Sequence, residues 1–194
     1  MEIKAIPNQI VKVPFAHLNL TKVTAIALHH MDNPLATVKD VERWHVAKGW
    51  RGIGYNFWVA LDGTIYRGRG FNLGAGVENQ NDSIMSIGFQ GDYHDDPRAM
   101  PDTQFNSGID IIDYIRSNIP SIKKVAGHKH FMATACPGKY FPLAEMQAGV
   151  RRDKMTKEQA IEKLKGFLSD GTITYLDSYR YGDELMIKLA ENMK

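Results

Sequence analysis

Residues 22–30 read KVTAIALHH. The run is short and rich in aliphatic side chains, which predicts a buried β-strand. Its last two residues are His29 and His30. We therefore expect a core strand that carries two histidines to its end, and the rest of the chain is interpreted around it.

The segment after this strand has the pattern of an amphipathic helix. In TVKDVERWHVAKGW, residues 37–50, Gly49 is expected to end the helix. Four side chains recur at helical spacing and predict its buried face: Val38, Val41, Trp44 and His45.

The next segment, GYNFWVALDGTIYRGR at residues 54–69, carries the clearest hairpin signal. Two strand-like runs flank Asp62-Gly63, a pair that favours a tight primed turn. The sequence therefore predicts two adjacent antiparallel strands.

Further strands and helices alternate up to residue 128. SIMSIGF at 83–89 predicts a core strand, and IKKVAGH at 122–128 a short strand ending at His128. Between them, residues 101–120 predict a helix with one apolar face: Phe105, Ile109, Ile112 and Ile115. Strands alternating with helices indicate an α/β fold, with a single mixed central β-sheet flanked by helices.

The character of the chain changes near residue 150. Thr156 and Gln159 predict a capping box for a helix with Ala160, Ile161, Leu164, Phe167 and Leu168 on one side. SDGTITYLDSYRYGD, residues 169–183, is expected to turn the chain before a second helix at 184–194. We predict a first domain at 1–150 and a small helical C-terminal domain at 151–194, a candidate wall-targeting module, lid or dimerisation element.

Composition limits the classes of partner. The 194 residues are 43% hydrophobic and 24% charged, as in ordinary globular proteins, and a net charge of +2 gives no argument for nucleic acid. No stretch approaches the ~20 apolar residues of a membrane span. The first residues show no signal-peptide pattern, so we expect synthesis in the cytoplasm. Oligomeric state is left open.

The only cysteine lies in HKHFMATACPG, residues 128–138. A lone cysteine is usually inert core, but Cys136 precedes Pro137-Gly138, a turn signal typical of the surface. Two strand ends bearing histidine and a loop thiol can supply three zinc ligands. Three protein ligands leave the fourth position for water, as in catalytic zinc sites.

Four segments, in order, resemble the motifs of the zinc-dependent N-acetylmuramoyl-L-alanine amidases of type 2: ALHHMDNP, RWHVAKGWRGIGYNFWVALDGTIYRGR, SIGFQGDY and GHKHFMATACPG. This family includes bacteriophage amidase-type lysozymes and shares its fold with peptidoglycan recognition proteins. The resemblance runs from about residue 22 to about residue 143. It implies one zinc ion per chain and bacterial peptidoglycan as the partner.

Carried over by position, the family's zinc ligands fall on His29, His128 and Cys136. Tyr55 matches a catalytic tyrosine, and Thr134 takes the place of a lysine or threonine that faces the reacting carbonyl. His30 is then expected in the pocket or beside a ligand. His45 and His130 match no ligand and are expected to be structural or solvated.

Substrate contacts and the general base are less defined. Trp44 and Trp50 are candidate platforms for sugar or peptide, whereas Trp58, inside a strand, is expected in the core. Some relatives carry a glutamate base where this chain has Gln90, and many carry a histidine at the position of Gly76. The base role is then vacant or falls to Tyr55 or to the zinc-activated water.

The resemblance implies hydrolysis of the amide between N-acetylmuramic acid and L-alanine of the stem peptide by a zinc-activated water. An endolysin that lyses a host cell after release fits the expected cytoplasmic synthesis. A bacterial autolysin with unusual export and a muropeptide-recycling amidase are alternatives. So are a non-catalytic peptidoglycan-binding module, a cysteine–histidine hydrolase without metal, and a purely structural zinc site.

Overall fold

The structure is a computed structural model that describes residues 1–152, 157–178 and 182–192. Contacts divide the chain into two compact units, Met1–Arg152 and Asp153–Lys194. The division lies close to the predicted change near residue 150. The functions assigned to the two predicted domains stay predictions.

The first unit is built on one six-stranded sheet. Its strands are β1 (Ile3–Ala5), β2 (Ala25–His30), β3 (Phe57–Val59), β4 (Ile65–Arg67), β5 (Ile84–Phe89) and β6 (Lys124–Gly127). Their order across the sheet is β1-β4-β3-β5-β2-β6. The β3–β4 pair is antiparallel and the other four pairs are parallel, so the predicted single mixed sheet is confirmed.

The predicted stretch at 22–30 contains β2, an interior strand next to the edge strand β6. All six residues of β2 are buried, and the strand pairs with β5 on one side and with β6 on the other. The predicted hairpin is also present, but its turn is longer than expected. Ala60 and Thr64 are joined by a backbone hydrogen bond across three residues, and Gly63 carries the positive φ of 84°. A three-residue hairpin loop ending in a left-handed glycine is a common alternative to the primed turn.

Helices cover both faces of the sheet. They are α1 (Val38–Ala47), α2 (Asp102–Asn118) and α3 (Leu143–Ala148). The four predicted apolar residues of α2 are all buried, in one core cluster with Leu28 and Ile87. Val38 and Val41 of α1 pack with Trp58 in another cluster, so Trp58 lies in the core as expected.

One position on α1 departs from the prediction. Trp44 is 45% exposed, while Glu42 is completely buried. The Glu42 carboxylate accepts a hydrogen bond from Ile10 N at 2.9 Å and pairs with Lys39 Nζ. The buried carboxylate is tolerated because both partners satisfy it. The buried face of α1 therefore includes Glu42 and leaves Trp44 exposed.

The second unit contains α4 (Lys157–Leu164), α5 (Asp170–Asp177) and α6 (Gly182–Asn192). The two predicted helices are present, but α5 replaces part of the predicted turn at 169–183. Phe167 is 55% exposed, unlike the buried Ala160 and Leu164. Thr156 of the predicted capping box lies outside the described residues. None of the described helices is long and apolar enough to cross a membrane.

Candidate functional site

Three predicted ligands meet at the carboxyl end of two neighbouring strands. His29 is the penultimate residue of β2, and His128 directly follows β6. Leu28 and Gly127, the residues before them, are paired in the sheet, so the two histidines leave it side by side. Cys136 reaches the same place from a loop whose backbone is held by a 2.8 Å hydrogen bond from Lys129 N to Cys136 O.

The distances among these side chains suit a single ion. Cys136 Sγ lies 3.8 Å from His29 Nδ1, and the two imidazole centroids are 4.3 Å apart. One ligand atom from each residue lies within 4.8 Å of the other two. Zinc bonds of about 2.0–2.3 Å at tetrahedral angles separate ligand atoms by about 3.3–3.6 Å, so small side-chain adjustments close this set around zinc.

The electrostatics of the group favour uncharged side chains. Burial, followed by the charge of neighbouring histidines, holds the pKa of His29 well below its usual value, and burial also lowers the pKa of His128. Burial raises the pKa of the partly exposed Cys136 thiol to about 11. A thiolate nucleophile needs the opposite shift, whereas a bound divalent cation deprotonates a coordinating thiol directly.

The two imidazoles present compatible nitrogens. Because His29 Nδ1 faces the cysteine sulfur, Nδ1 is the ligand atom and the proton belongs on Nε2. His128 Nε2 contacts Met132 Sδ at 3.2 Å, which leaves its Nδ1 lone pair available. The donor set therefore fits zinc, with two neutral imidazoles and one thiolate.

Tyr55 stands next to this group. Its ring centroid lies 5.1 Å from that of His29, and the ring packs over Gly88, which pairs with His29 in the sheet. Burial raises the pKa of the Tyr55 phenol far above its usual value, and the nearby Cys136 adds to the shift. At any working pH the hydroxyl is thus a proton donor and not a base.

Thr134 lies at the edge of a cavity of about 340 Å³ beside the cysteine. Its Oγ accepts a hydrogen bond from Cys136 N at 3.2 Å, so its own proton is free to point elsewhere. The cavity is lined by His30, Asp32, His94, Thr134, Ala135 and Cys136. Of these, Asp32 and His94 carry no motif in the sequence, and sequence reasoning missed them.

His30 opens onto the same cavity as a hydrogen-bond donor. Its Nδ1 accepts from Tyr93 N at 3.0 Å, so the neutral ring carries its proton on Nε2. His30, Asp32 and Asp92 also lie close enough to share an ion. The protonated Nε2 cannot ligate one, so this second cluster is a poor metal site. His30 Nε2 instead faces Asp32 Oδ1 at 3.9 Å.

Trp44 and Trp50, the two predicted platforms, differ in exposure, and neither lines the cavity beside Cys136. Trp50 is half-buried and stacks on His45, with 4.5 Å between ring centroids and 25° between planes. His45 Nδ1 accepts from Gly54 N at 3.0 Å and the ring touches that of Tyr55 edge-on, so His45 is a structural residue. Trp44 is exposed on the outer side of α1.

Gln90 and Gly76, the two positions where some relatives carry other residues, both make close contacts within the protein. Gln90 Oε1 accepts from Leu61 N at 3.1 Å, which ties this side chain to the hairpin loop. Gly76 lies against Ser86 and the buried side of His29, where a β-carbon would stand 2.3 Å from Ser86 Oγ. His130, which was expected to be structural or solvated, is exposed, and its Nδ1 lies 3.3 Å from Gly127 O.

Comparison with known proteins adds a family and a fold. Residues 19–139 match the family model for N-acetylmuramoyl-L-alanine amidase. The chain is 32% identical over 106 residues to peptidoglycan-recognition protein SC2 of Drosophila simulans. This alignment covers 54% of this chain and 58% of that protein. It is 28% identical over 136 residues to the N-acetylmuramoyl-L-alanine amidase of Mus musculus, covering 64% of this chain and 24% of that protein.

The chain thus spans little more than half the length of the recognition protein and a quarter of the mouse amidase. Among solved structures, the endolysin amidase LysCS from Clostridium intestinale URNW superposes with a TM-score of 0.69 at 27% identity. That alignment covers 76% of this chain and 93% of the endolysin chain.

Proposed function

Since the chain belongs to the N-acetylmuramoyl-L-alanine amidase family, we propose that it is a zinc-dependent peptidoglycan amidase. The bond cleaved is the amide between N-acetylmuramic acid and L-alanine of the stem peptide. One observation carries the proposal. Two imidazoles and a thiol converge from distant parts of the chain within 4.8 Å, and the thiol borders an open cavity.

His29, His128 and Cys136 are the proposed ligands of that ion. When bound, zinc lowers the pKa of water to about 7 and polarises a carbonyl, which together overcome the low reactivity of an amide. Met132 contacts Nε2 of His128 and leaves its Nδ1 available, and the hydrogen bond from Lys129 N to Cys136 O holds the backbone that carries the thiol.

Tyr55 and Thr134 are the proposed catalytic donors. Attack on an amide develops negative charge on the carbonyl oxygen, and a preorganised hydroxyl stabilises that charge. The Tyr55 phenol remains protonated because its pKa is raised by burial, and the Thr134 hydroxyl has its acceptor side already occupied by Cys136 N. Both groups are therefore suited to donate to an oxyanion.

His30 and the tryptophans are proposed substrate contacts. The His30 Nε2–H opens onto the cavity and can donate to a carbonyl or hydroxyl of the substrate. Trp44 offers an exposed ring to a sugar or peptide, and Trp50 a half-buried one.

The decisive experiment is digestion of purified peptidoglycan followed by mass spectrometry. We expect stem peptides with a new L-alanine amino terminus and intact glycan chains. Cys136→Ser is expected to abolish the product, while His130→Ala, which alters an exposed histidine outside the proposed ligand set, is expected to keep it. Products with a cleaved glycan, or an active C136S variant, would contradict the proposal.

A binding module that recognises peptidoglycan without cutting it is the second candidate, because several relatives are named as recognition proteins. The convergence of His29, His128 and Cys136 favours the enzyme, because a module that only binds peptidoglycan needs no catalytic metal. Sedimentation with insoluble peptidoglycan separates the two functions. A pure binding module sediments and releases no peptide, whereas the amidase releases peptide and its C136S variant still sediments.

The role in lysis is proposed from the likeness to an endolysin amidase. An endolysin acts on intact sacculi, whereas a recycling amidase acts only on soluble muropeptides. Activity on both substrates, compared at equal concentration of muramoyl peptide, distinguishes them.

The second unit lies outside the matched residues 19–139, and we propose for it the role of a wall-targeting element. A chain truncated after Arg152, first shown by circular dichroism to be folded, should sediment less with sacculi than the full chain. Equal sedimentation and lysis would contradict this role.

A further inference from the structure

Two polar atoms without partners lie beneath the proposed metal ligands. His29 Nε2 and Ser86 Oγ are both buried and make no hydrogen bond within the part of the chain that the structure describes. Ser86 is 0% exposed and His29 is 2% exposed. Buried polar groups in native proteins are almost always hydrogen-bonded, so a pair of this kind requires an explanation.

The sheet places these two atoms on the same face. In the parallel β2–β5 pair, Ala27 lies opposite Ser86 and His29 lies opposite Gly88. Ser86 is therefore two residues before the partner of His29, and its side chain lies on the same face of the sheet. The chain crosses above them at Gly76. A β-carbon on Gly76 would stand 2.3 Å from Ser86 Oγ and 3.3 Å from His29 Nε2. The backbone of Gly76 therefore lies tightly against both atoms, and a side chain at this position would clash with Ser86.

The chemistry of His29 determines what kind of partner its buried Nε2 needs. With Nδ1 directed at Cys136 Sγ, the ring proton lies on Nε2 and points away from the ligand side. A metal-bound histidine almost always donates this second N–H to an acceptor, which fixes its tautomer and orientation. Ser86 Oγ has free lone pairs to accept it. The backbone of Ser86 is itself fixed, because Ser86 N donates to the buried Asn56 Oδ1 at 2.8 Å.

We propose that Ser86 is a positioning residue for the metal ligand His29. Its hydroxyl is the acceptor for the His29 Nε2–H, and the small side-chain adjustments that close the ligand set around zinc bring the two buried, unpartnered atoms together. This inference rests on the proposed zinc site. Gly76 takes part by lacking a side chain, which gives a physical role to a position where the family pattern has histidine.

The test compares zinc affinity in Ser86→Ala and Ser83→Ala, measured by competition with a chromogenic chelator. Loss of a group that orients a ligand typically weakens metal binding by about 10- to 100-fold, and we expect this for S86A. Ser83 lies just before the same strand and its hydroxyl donates to Gln80 O, so S83A is the matched control and should change affinity less than twofold. Unchanged affinity in S86A would overturn the proposal.

A second measurement separates positioning from simple packing. In the zinc-loaded wild type, nitrogen NMR should show His29 as the Nε2–H tautomer with a slowly exchanging ring proton, and S86A should speed that exchange. The Nδ1–H tautomer would overturn the proposal, as would an S86A variant whose metal-free Tm falls while its affinity holds. If the wild type itself binds no zinc, the proposed function fails together with this inference, whereas zinc binding that is insensitive to S86A refutes the inference alone.

Discussion

Replacing Tyr55 by phenylalanine tests the proposed oxyanion donor. The change removes one oxygen and keeps the ring, which contacts His29, His45 and Trp58 at centroid distances of 5.1, 5.5 and 6.1 Å. Packing should therefore be preserved. Because burial raises the pKa of the phenol, the wild-type hydroxyl acts as a donor throughout the working pH range.

Loss of one such donor costs about 10²- to 10³-fold in kcat, or about 3–4 kcal/mol of transition-state stabilisation. We expect this loss in Y55F, with KM and zinc content unchanged. The assay is release of stem peptide from a soluble muropeptide, with metal content measured on the same sample. Tyr66→Phe is the matched control, since Tyr66 packs against the same core cluster as Tyr55, and it should retain activity.

Two results would contradict a donor role for the Tyr55 hydroxyl. A Y55F variant within about threefold of the wild-type rate would show that the hydroxyl donates nothing to the transition state. A wild-type rate that rises with pH above 8, and loses that rise in Y55F, would identify Tyr55 as a base and contradict the direction of its pKa shift.

Three further predictions concern the metal, acid stability and a buried carboxylate. Chelation should abolish amide cleavage and zinc should restore it, whereas a metal-free cysteine hydrolase would survive chelation. Burial, with smaller contributions from Lys48 and Arg69, lowers the pKa of His45 to about 4. Because the folded pKa lies below the unfolded value near 6.5, stability is full above pH 6.5 and is lost as the pH falls toward 4, by at most about 3 kcal/mol. Urea unfolding at several pH values should therefore show a shallower acid decline in His45→Gln, and an unchanged decline would contradict this account. Glu42→Ala should lower the free energy of unfolding by about 2–3 kcal/mol because Ile10 N loses its acceptor, and a loss below about 0.5 kcal/mol would mean that water replaces the carboxylate.

The elements predicted correctly from sequence have strong local patterns. β2 and β5 are aliphatic runs whose six residues are all buried, and α2 shows its apolar face at helical spacing. Each of these signals is contained within about twenty residues of chain. Local periodicity was therefore sufficient to identify them.

The missed elements depend on distant contacts or ambiguous residues. β1 has only three residues and forms through parallel pairing with β4, about sixty positions away, so no local pattern marks it. The segment of α5 contains Gly171 and two β-branched threonines, which resemble a turn. The structure instead uses Ser169 as an N-cap that accepts from Thr172 N.

The residues of the candidate site also differ in whether the sequence alone could predict them. The residues suggested that histidines at two strand ends and a loop thiol could meet, and the family resemblance then assigned the proposed ligands to His29, His128 and Cys136. Ser86 is an ordinary serine inside a strand, and its relation to His29 depends on sheet register and on the crossing of Gly76. Neither feature is visible without the three-dimensional structure.

X-ray absorption at the zinc edge of the purified full chain identifies both the bound metal and its ligand atoms. We predict one zinc per chain, with one sulfur at about 2.3 Å and two imidazole nitrogens at about 2.0–2.1 Å, and loss of the sulfur contribution in C136S. A protein that takes up no zinc, or a zinc shell of oxygen and nitrogen alone in the wild type, would contradict the account.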